Sequence, residues 1–299
     1  MRLAISRRGA RPCVADQTYR DGWFTTVDGL GLHFRDYPGS AKRPPLLCLH
    51  GLTRNIRDFA AFAERHSPRF RVVAFDFRGR GDSDHDPLPA RYTPLTYAAD
   101  VQQLLDHLGI GQAIFVGTSL GGLVTMSLAL LAPQRVAAAV LNDVGPELGQ
   151  AGLDRIQGYV GKGERFASWE EAADAVALQQ AAAFPGYQRE DWLAMARRNC
   201  RERDGEIMFD YDVAIAGAFK TAGPQPKIDL WPLFAALARK PLLVIRGELS
   251  ELLSPDTFEK MKAVAPEAHF AMVPGIGHAP MLDEPEAIAA VDAFLGTLK

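Results

Sequence analysis

The chain has 299 residues, 47% hydrophobic and 23% charged, with 33 Lys and Arg against 36 Asp and Glu for a formal charge of -3. Such a chain buries a large core without staples, and its slight acidity weighs against a sequence-independent grip on nucleic acid or anionic membranes, which needs a clustered basic excess. Three scattered cysteines, Cys13, Cys48 and Cys200, form no CxxC pair, so neither a disulfide scaffold nor a zinc site is indicated. The start has no apolar run of signal-peptide length and no stretch holds 18 apolar residues in a row, which reads as a soluble, cytoplasmic protein.

Residues 1–20 lack hydrophobic periodicity and are expected to form a loose N-terminal arm. A hairpin follows, with residues 25–27 and 32–37 flanking the turn formers Asp28, Gly29 and Gly31. Short apolar runs then recur at 45–49, 71–75, 113–116, 137–141, 242–245 and 270–273, each ending in polar or glycine punctuation. Helical patterns lie between them at 58–66, 95–108, 120–131 and 285–298. Apolar strands alternating with helices predict an α/β fold with a mostly parallel central sheet covered on both faces, whose ligands bind at the carboxyl ends of the strands. The alternation breaks over 144–236, where segments at 153–160, 169–183 and 192–201 read as helices and 207–211 is at best a short strand. The expected organisation is a core of residues 21–143 and 237–299, interrupted by a helical lid at 144–236.

The chemistry centres on Gly117-Thr118-Ser119-Leu120-Gly121, which follows a buried strand and opens a helix. A serine on a sharp strand-to-helix turn projects its hydroxyl from the sheet, and the closeness of strand and helix demands small residues two positions away on either side. The helix also aims free N–H groups at an oxyanion formed beside Ser119. His278, in Gly275-Ile276-Gly277-His278-Ala279-Pro280, follows the last strand on a glycine-flanked loop able to bring an imidazole to that hydroxyl.

With HGLTRN, FRGRGDSD, GTSLGG, LNDVGP, RGELSELLSP and GIGHAP in that order, the chain resembles the α/β-hydrolase superfamily, and within it single-chain bacterial hydrolases, from about residue 22 to the end. The resemblance implies an α/β-hydrolase fold with oxyanion donors at the backbone N–H groups of Leu52 and Leu120. His50, before Gly51, would then shape that loop and border the substrate rather than transfer protons. Arg54 is a candidate for holding a substrate carboxylate, with a salt bridge to the loop of Asp82 or Asp84 as the alternative.

The chain order serine, acid, histidine implied by the resemblance places the acid between Ser119 and His278. Members of the family usually carry Asp three or four residues past the glycine of Arg246-Gly247, a window that here holds Ser250 and Glu251. Glu251 is the expected acid, with Asp143, at the end of the strand over 137–141, as its rival. Trp192 and Phe219 are the lid aromatics expected to meet substrate. Serine at the elbow, rather than aspartate, implies attack on a small-molecule ester or lactone through an acyl-enzyme, without metal or organic cofactor, by a monomer or homodimer. A carbon–carbon bond hydrolase of diketones and a non-catalytic receptor are the alternatives, which fold alone does not separate.

Overall fold

In a strand such as Leu46–Leu49 every side chain is buried, so neither face can be left to water. The computed structural model, which describes residues 18–217 and 229–298, satisfies this with an eight-stranded sheet between two layers of helices. Its strands are β1 (Arg20–Thr25), β2 (Gly31–Tyr37), β3 (Leu46–Leu49), β4 (Val72–Phe75), β5 (Ala113–Thr118), β6 (Val136–Asn142), β10 (Leu242–Gly247) and β11 (His269–Val273). They lie in the order β1-β2-β4-β3-β5-β6-β10-β11, antiparallel at the β1–β2 and β2–β4 pairs and parallel elsewhere.

Alternate side chains of each strand feed different layers. Leu47 and Leu49 join the core under helices α2 (Pro94–His107), α3 (Leu120–Leu131), α7 (Trp231–Leu237) and α8 (Pro255–Val264). Leu46 and Cys48 face α1 (Ala60–His66) and α9 (Pro285–Thr297) on the other side. Helix starts are written locally: Thr93 accepts the N–H of Thr96 ahead of Pro94, and Ser254 accepts the N–H of Thr257 ahead of Pro255. Among the described residues no helix is long and apolar enough to cross a membrane. Of the expected arm, residues 1–17 lie outside the described residues.

Between β6 and β10 the chain leaves the sheet for an insert with α4 (Gln150–Tyr159), α5 (Trp169–Gln180) and α6 (Arg189–Asn199). The insert also contains a three-stranded antiparallel sheet, β7 (Arg165–Phe166), β9 (Glu206–Phe209) and β8 (Cys200–Arg203), where the sequence suggested at most one short strand. These strands span two to four residues, too short a run for period-two patterning to stand out. The insert has a core of its own built from Phe166, Val176, Phe184, Trp192, Met195 and Ile207. Its two ends are tied to the main domain. Asp212 N–H donates to Gly79 C=O at 2.7 Å and Arg57 pairs with Asp210 at 2.8 Å on one side, while Gly149 N–H donates to Leu252 C=O at 2.8 Å on the other.

Candidate active site

Parallel strand ends β3, β5, β6 and β10 lie side by side, so the residues that follow them converge. Ser119 follows β5 with φ 53° and ψ -114°, a left-handed backbone that a non-glycine residue adopts only under constraint. The constraint is visible in its neighbours: a Cβ on Gly121 would lie 2.0 Å from the Leu49 carbonyl oxygen, and one on Gly117 would lie 2.6 Å from the Gly121 backbone. Strand and helix therefore touch backbone to backbone, and the strained turn between them lifts the Ser119 hydroxyl into a cavity.

His278 Nε2 lies 2.9 Å from Ser119 Oγ, and its Nδ1 lies 2.7 Å from Asp143 Oδ2. A carboxylate only accepts, so Nδ1 carries the ring proton and Nε2 offers a lone pair to the serine hydroxyl. Asp143, fully buried, also accepts the N–H of Gly247 at 2.9 Å and the hydroxyl of Ser250 at 2.7 Å. Its charge is thus met by three donors from β10, the loop after it and the histidine, and each member of the chain is oriented by the next.

Glu251 is not at this position, and the expectation that it faces His278 is corrected. Its carboxylate points outward, exposed, 3.0 Å from Arg155 Nε of α4. The reason lies in strand order. Strand β6 runs between β5 and β10, so Asp143 at its end is closer to the centre of the cluster, while the turn after β10 directs Ser250 inward and the next residue away.

The loop expected to hold the oxyanion follows β3. Leu120 N–H is the first of α3, where no intrahelical acceptor exists, and among the described residues Leu52 N–H has no protein acceptor. Both residues stand beside the serine: Leu120 follows it directly, and a Cβ on Gly51, the neighbour of Leu52, would approach Ser119 Cβ to 3.8 Å. Two unclaimed donors at this place suit a negative oxygen forming on an attacked carbonyl.

His50 is fully buried and borders no open space, which corrects its expected contact with substrate. Its Nδ1 donates to Gly51 C=O at 2.7 Å and its Nε2 accepts Phe77 N–H at 3.2 Å, so the ring is neutral and pins the loop. Burial pushes its pKa down to about 4, against the opposing pull of Asp76. Burial does the same to His66, also to about 4. His33 behaves in the opposite way: burial disfavours its charge, yet hydrogen bonds to Asp21 and Asp76 prevail and raise its pKa to about 9.

These three histidines set an expected stability profile. Relative to an unfolded value near 6.5, His33 contributes stability that is full below pH 6.5 and lost as pH rises through 9. His50 and His66 contribute stability that is full above pH 6.5 and lost as pH falls toward 4, about 3 kcal/mol each. Melting temperature measured against pH should therefore peak near pH 6.5 to 7 and fall on both sides. A profile flat from pH 7 down to 4.5 would contradict the buried neutral state of His50 and His66.

Arg54 lines the cavity, but its partner is neither Asp82 nor Asp84. Its Nε and one terminal nitrogen each bond Asp58 at 2.7 Å, an i,i+4 pair whose spacing is written in the sequence. The cavity is closed above by insert residues Ile156, Tyr159, Gln179, Phe184 and Asn199. Trp192 is not among them. It packs its ring 5.0 Å from Tyr187 and 6.4 Å from Phe184 inside the insert's own core, which corrects its expected role at substrate. Phe219 lies outside the described residues.

The family model of the alpha/beta hydrolase fold matches residues 44–285. The chain belongs to the alpha/beta hydrolase fold family. Among this family's members, it is 33% identical to the 3-hydroxybutyrate-oligomer hydrolase of Cupriavidus necator over 92% of this chain and 97% of that protein. It is 30% identical to the 2-(acetamidomethylene)succinate hydrolase of Mesorhizobium japonicum over 79% of this chain and 81% of that one. The crystal structure of an alpha/beta hydrolase from Novosphingobium aromaticivorans superimposes with a TM-score of 0.89 and 48% identity, covering 94% of this chain and 99% of that chain. This alpha/beta hydrolase family member is accordingly a hydrolase.

Proposed function

We propose that the protein is a serine hydrolase of carboxylic esters that works through an acyl-enzyme. The observation that carries this reading is the unbroken chain from Ser119 Oγ through His278 to the buried carboxylate of Asp143, at 2.9 and 2.7 Å. Ser119 attacks the ester carbonyl as His278 Nε2 takes its proton, and Asp143 stabilises the resulting imidazolium. The N–H groups of Leu52 and Leu120 hold the carbonyl oxygen as it becomes negative. His278 then gives its proton to the departing alkoxide, leaving Ser119 acylated. Water enters, His278 takes a proton from it, and a second tetrahedral intermediate collapses to the acid and free serine.

The cavity combines aromatic and aliphatic walls, from Tyr159, Phe184 and Ile156, with the polar Arg54–Asp58 pair and the amides of Gln179 and Asn199. That mixture suits an ester whose chain carries further oxygen atoms better than a plain fatty acyl chain. The similarity to an oligomer hydrolase of 3-hydroxybutyrate supports short esters of hydroxy acids as the first substrates to try. In this reading the insert between β6 and α7 serves as a lid that selects the chain, while the core, to which α7 belongs, performs the chemistry.

The test is a turnover screen of the purified protein across p-nitrophenyl acetate and butyrate, 3-hydroxybutyrate dimer and trimer, lactones of several ring sizes and a vinylogous diketone. Turnover of esters with a burst of p-nitrophenol is expected. Cleavage of the diketone alone would transfer the assignment to carbon–carbon hydrolysis, and stoichiometric binding without turnover would make the protein a receptor.

A further inference from the structure

We infer that Ser250 is a positioning residue of the proton path, holding the Asp143 carboxylate in the orientation that His278 requires; this rests on the assignment of Ser119, His278 and Asp143 above. Ser250 is nearly buried, in the loop after β10, and its Oγ lies 2.7 Å from Asp143 Oδ2. That same oxygen accepts the Nδ1 proton of His278 at 2.7 Å. The hydroxyl has one proton and two lone pairs. Its oxygen already accepts Leu253 N–H at 3.1 Å and Leu252 N–H at 3.3 Å, so the proton is left to point at Asp143.

The loop holds the hydroxyl in place. Ser250 N–H donates to Gly247 C=O at 3.0 Å, and Arg246 Nε donates to Leu253 C=O at 2.8 Å. With Gly247 N–H on Oδ1, the carboxylate is gripped on both oxygens before the histidine is counted. Ser250 also precedes Glu251, the expected acid, in the window three and four residues past Gly247. A hydroxyl stands in that window, and the acid reaches the same histidine from the neighbouring strand end, so the two residues divide the work of one.

This arrangement has a chemical consequence beyond rigidity. A donor on Oδ2 spreads the carboxylate's charge and makes it a weaker base. Removing the donor leaves a carboxylate that holds the imidazolium more strongly, so the acid limb of the pH–rate profile should move to higher pH. The other charged groups near the histidine keep their partners: Arg246 in the loop, Glu248 on Gly275 N–H, Glu284 on Met281 N–H, and Arg54 on Asp58.

The experiment uses the full chain and two readouts that share the serine but not the substrate, turnover of p-nitrophenyl butyrate and labelling of Ser119 by a fluorophosphonate. Ser250→Ala should lower kcat about tenfold and move the acid limb of both pH profiles upward by about half a unit to one unit. Ser250→Thr, which keeps the hydroxyl, should restore both toward the wild-type values. Should the alanine variant fail to fold, Ser250→Cys, a weaker donor of similar size, should show the same upward shift in smaller measure.

A lowered melting temperature with unchanged pH limb and unchanged rates per folded molecule would overturn the inference and leave Ser250 as a loop staple. Failure of the underlying assignment looks different, because the wild-type protein would then take up no fluorophosphonate at Ser119.

Discussion

Ser119→Ala is expected to reduce kcat for ester hydrolysis by roughly 10⁴ to 10⁶ while leaving the melting temperature close to that of the wild type. The hydroxyl is the group that bonds to carbon, and among the described residues lining the cavity it is the hydroxyl that His278 Nε2 reaches, at 2.9 Å. Folding should be little affected because the elbow is set by backbone contacts at Gly117 and Gly121, and the alanine side chain differs from serine only by the oxygen that faces the cavity. Turnover and fluorophosphonate labelling, measured on protein freed of host esterases, check the result. Retention of wild-type turnover would remove Ser119 as nucleophile.

The second large effect is expected at Asp143, with Glu251 as its control. Asp143→Asn puts an amide where three donors converge, from Gly247, Ser250 and His278. If the amide oxygen takes the place of Oδ1 and keeps the Gly247 N–H, the NH₂ takes the place of Oδ2, faces Nδ1 and forces the imidazole into the tautomer that cannot accept from Ser119. A loss of about 10⁴ in kcat follows from the tautomer alone. Glu251→Gln removes only a solvent-facing pair with Arg155 and should leave kcat within twofold. Steady-state kinetics of the two variants side by side decide between the carboxylates, and the opposite pattern would return the acid to the loop after β10.

The difference between these residues shows where sequence reasoning ran out. The strands of the sheet were legible because runs such as LLCL and VVAF are buried on both faces and leave no polar residue to confuse the period. The meeting of Ser119 and His278 was legible because each sits in a local context, a glycine-flanked elbow and a glycine-flanked loop, that the proposed chemistry needs. The proposed acid has no such context. Its identity depends on which strand end lies nearer the histidine and on whether a side chain after β10 turns in or out, and both are properties of strand order and turn geometry. Helix α8 is faint in the sequence because its ten residues bury only Thr257, Phe258 and Met261, although Ser254 and Pro255 spell an ordinary helix start. Trp192 was misplaced for another reason: composition identifies a large aromatic residue but does not separate the wall of a cavity from the core behind it.

Every atom of the proposed proton path comes from the core: Ser119 from the β5–α3 turn, Asp143 from the end of β6, His278 from the loop between β11 and α9. The insert begins only after the acid, and it rests on the core through a few seams, among them Gly149 and Gly152, which lie so close to the backbone of Glu251 and Leu252 that a Cβ would not fit. The molecule is thus divided like a tool with an exchangeable head. A foreign cap grafted between the end of β6 and the start of α7 would change what is cut without touching how, provided it brings small residues to that seam and an acceptor in place of Ala183 C=O, to which Gly277 N–H donates at 2.6 Å beside His278.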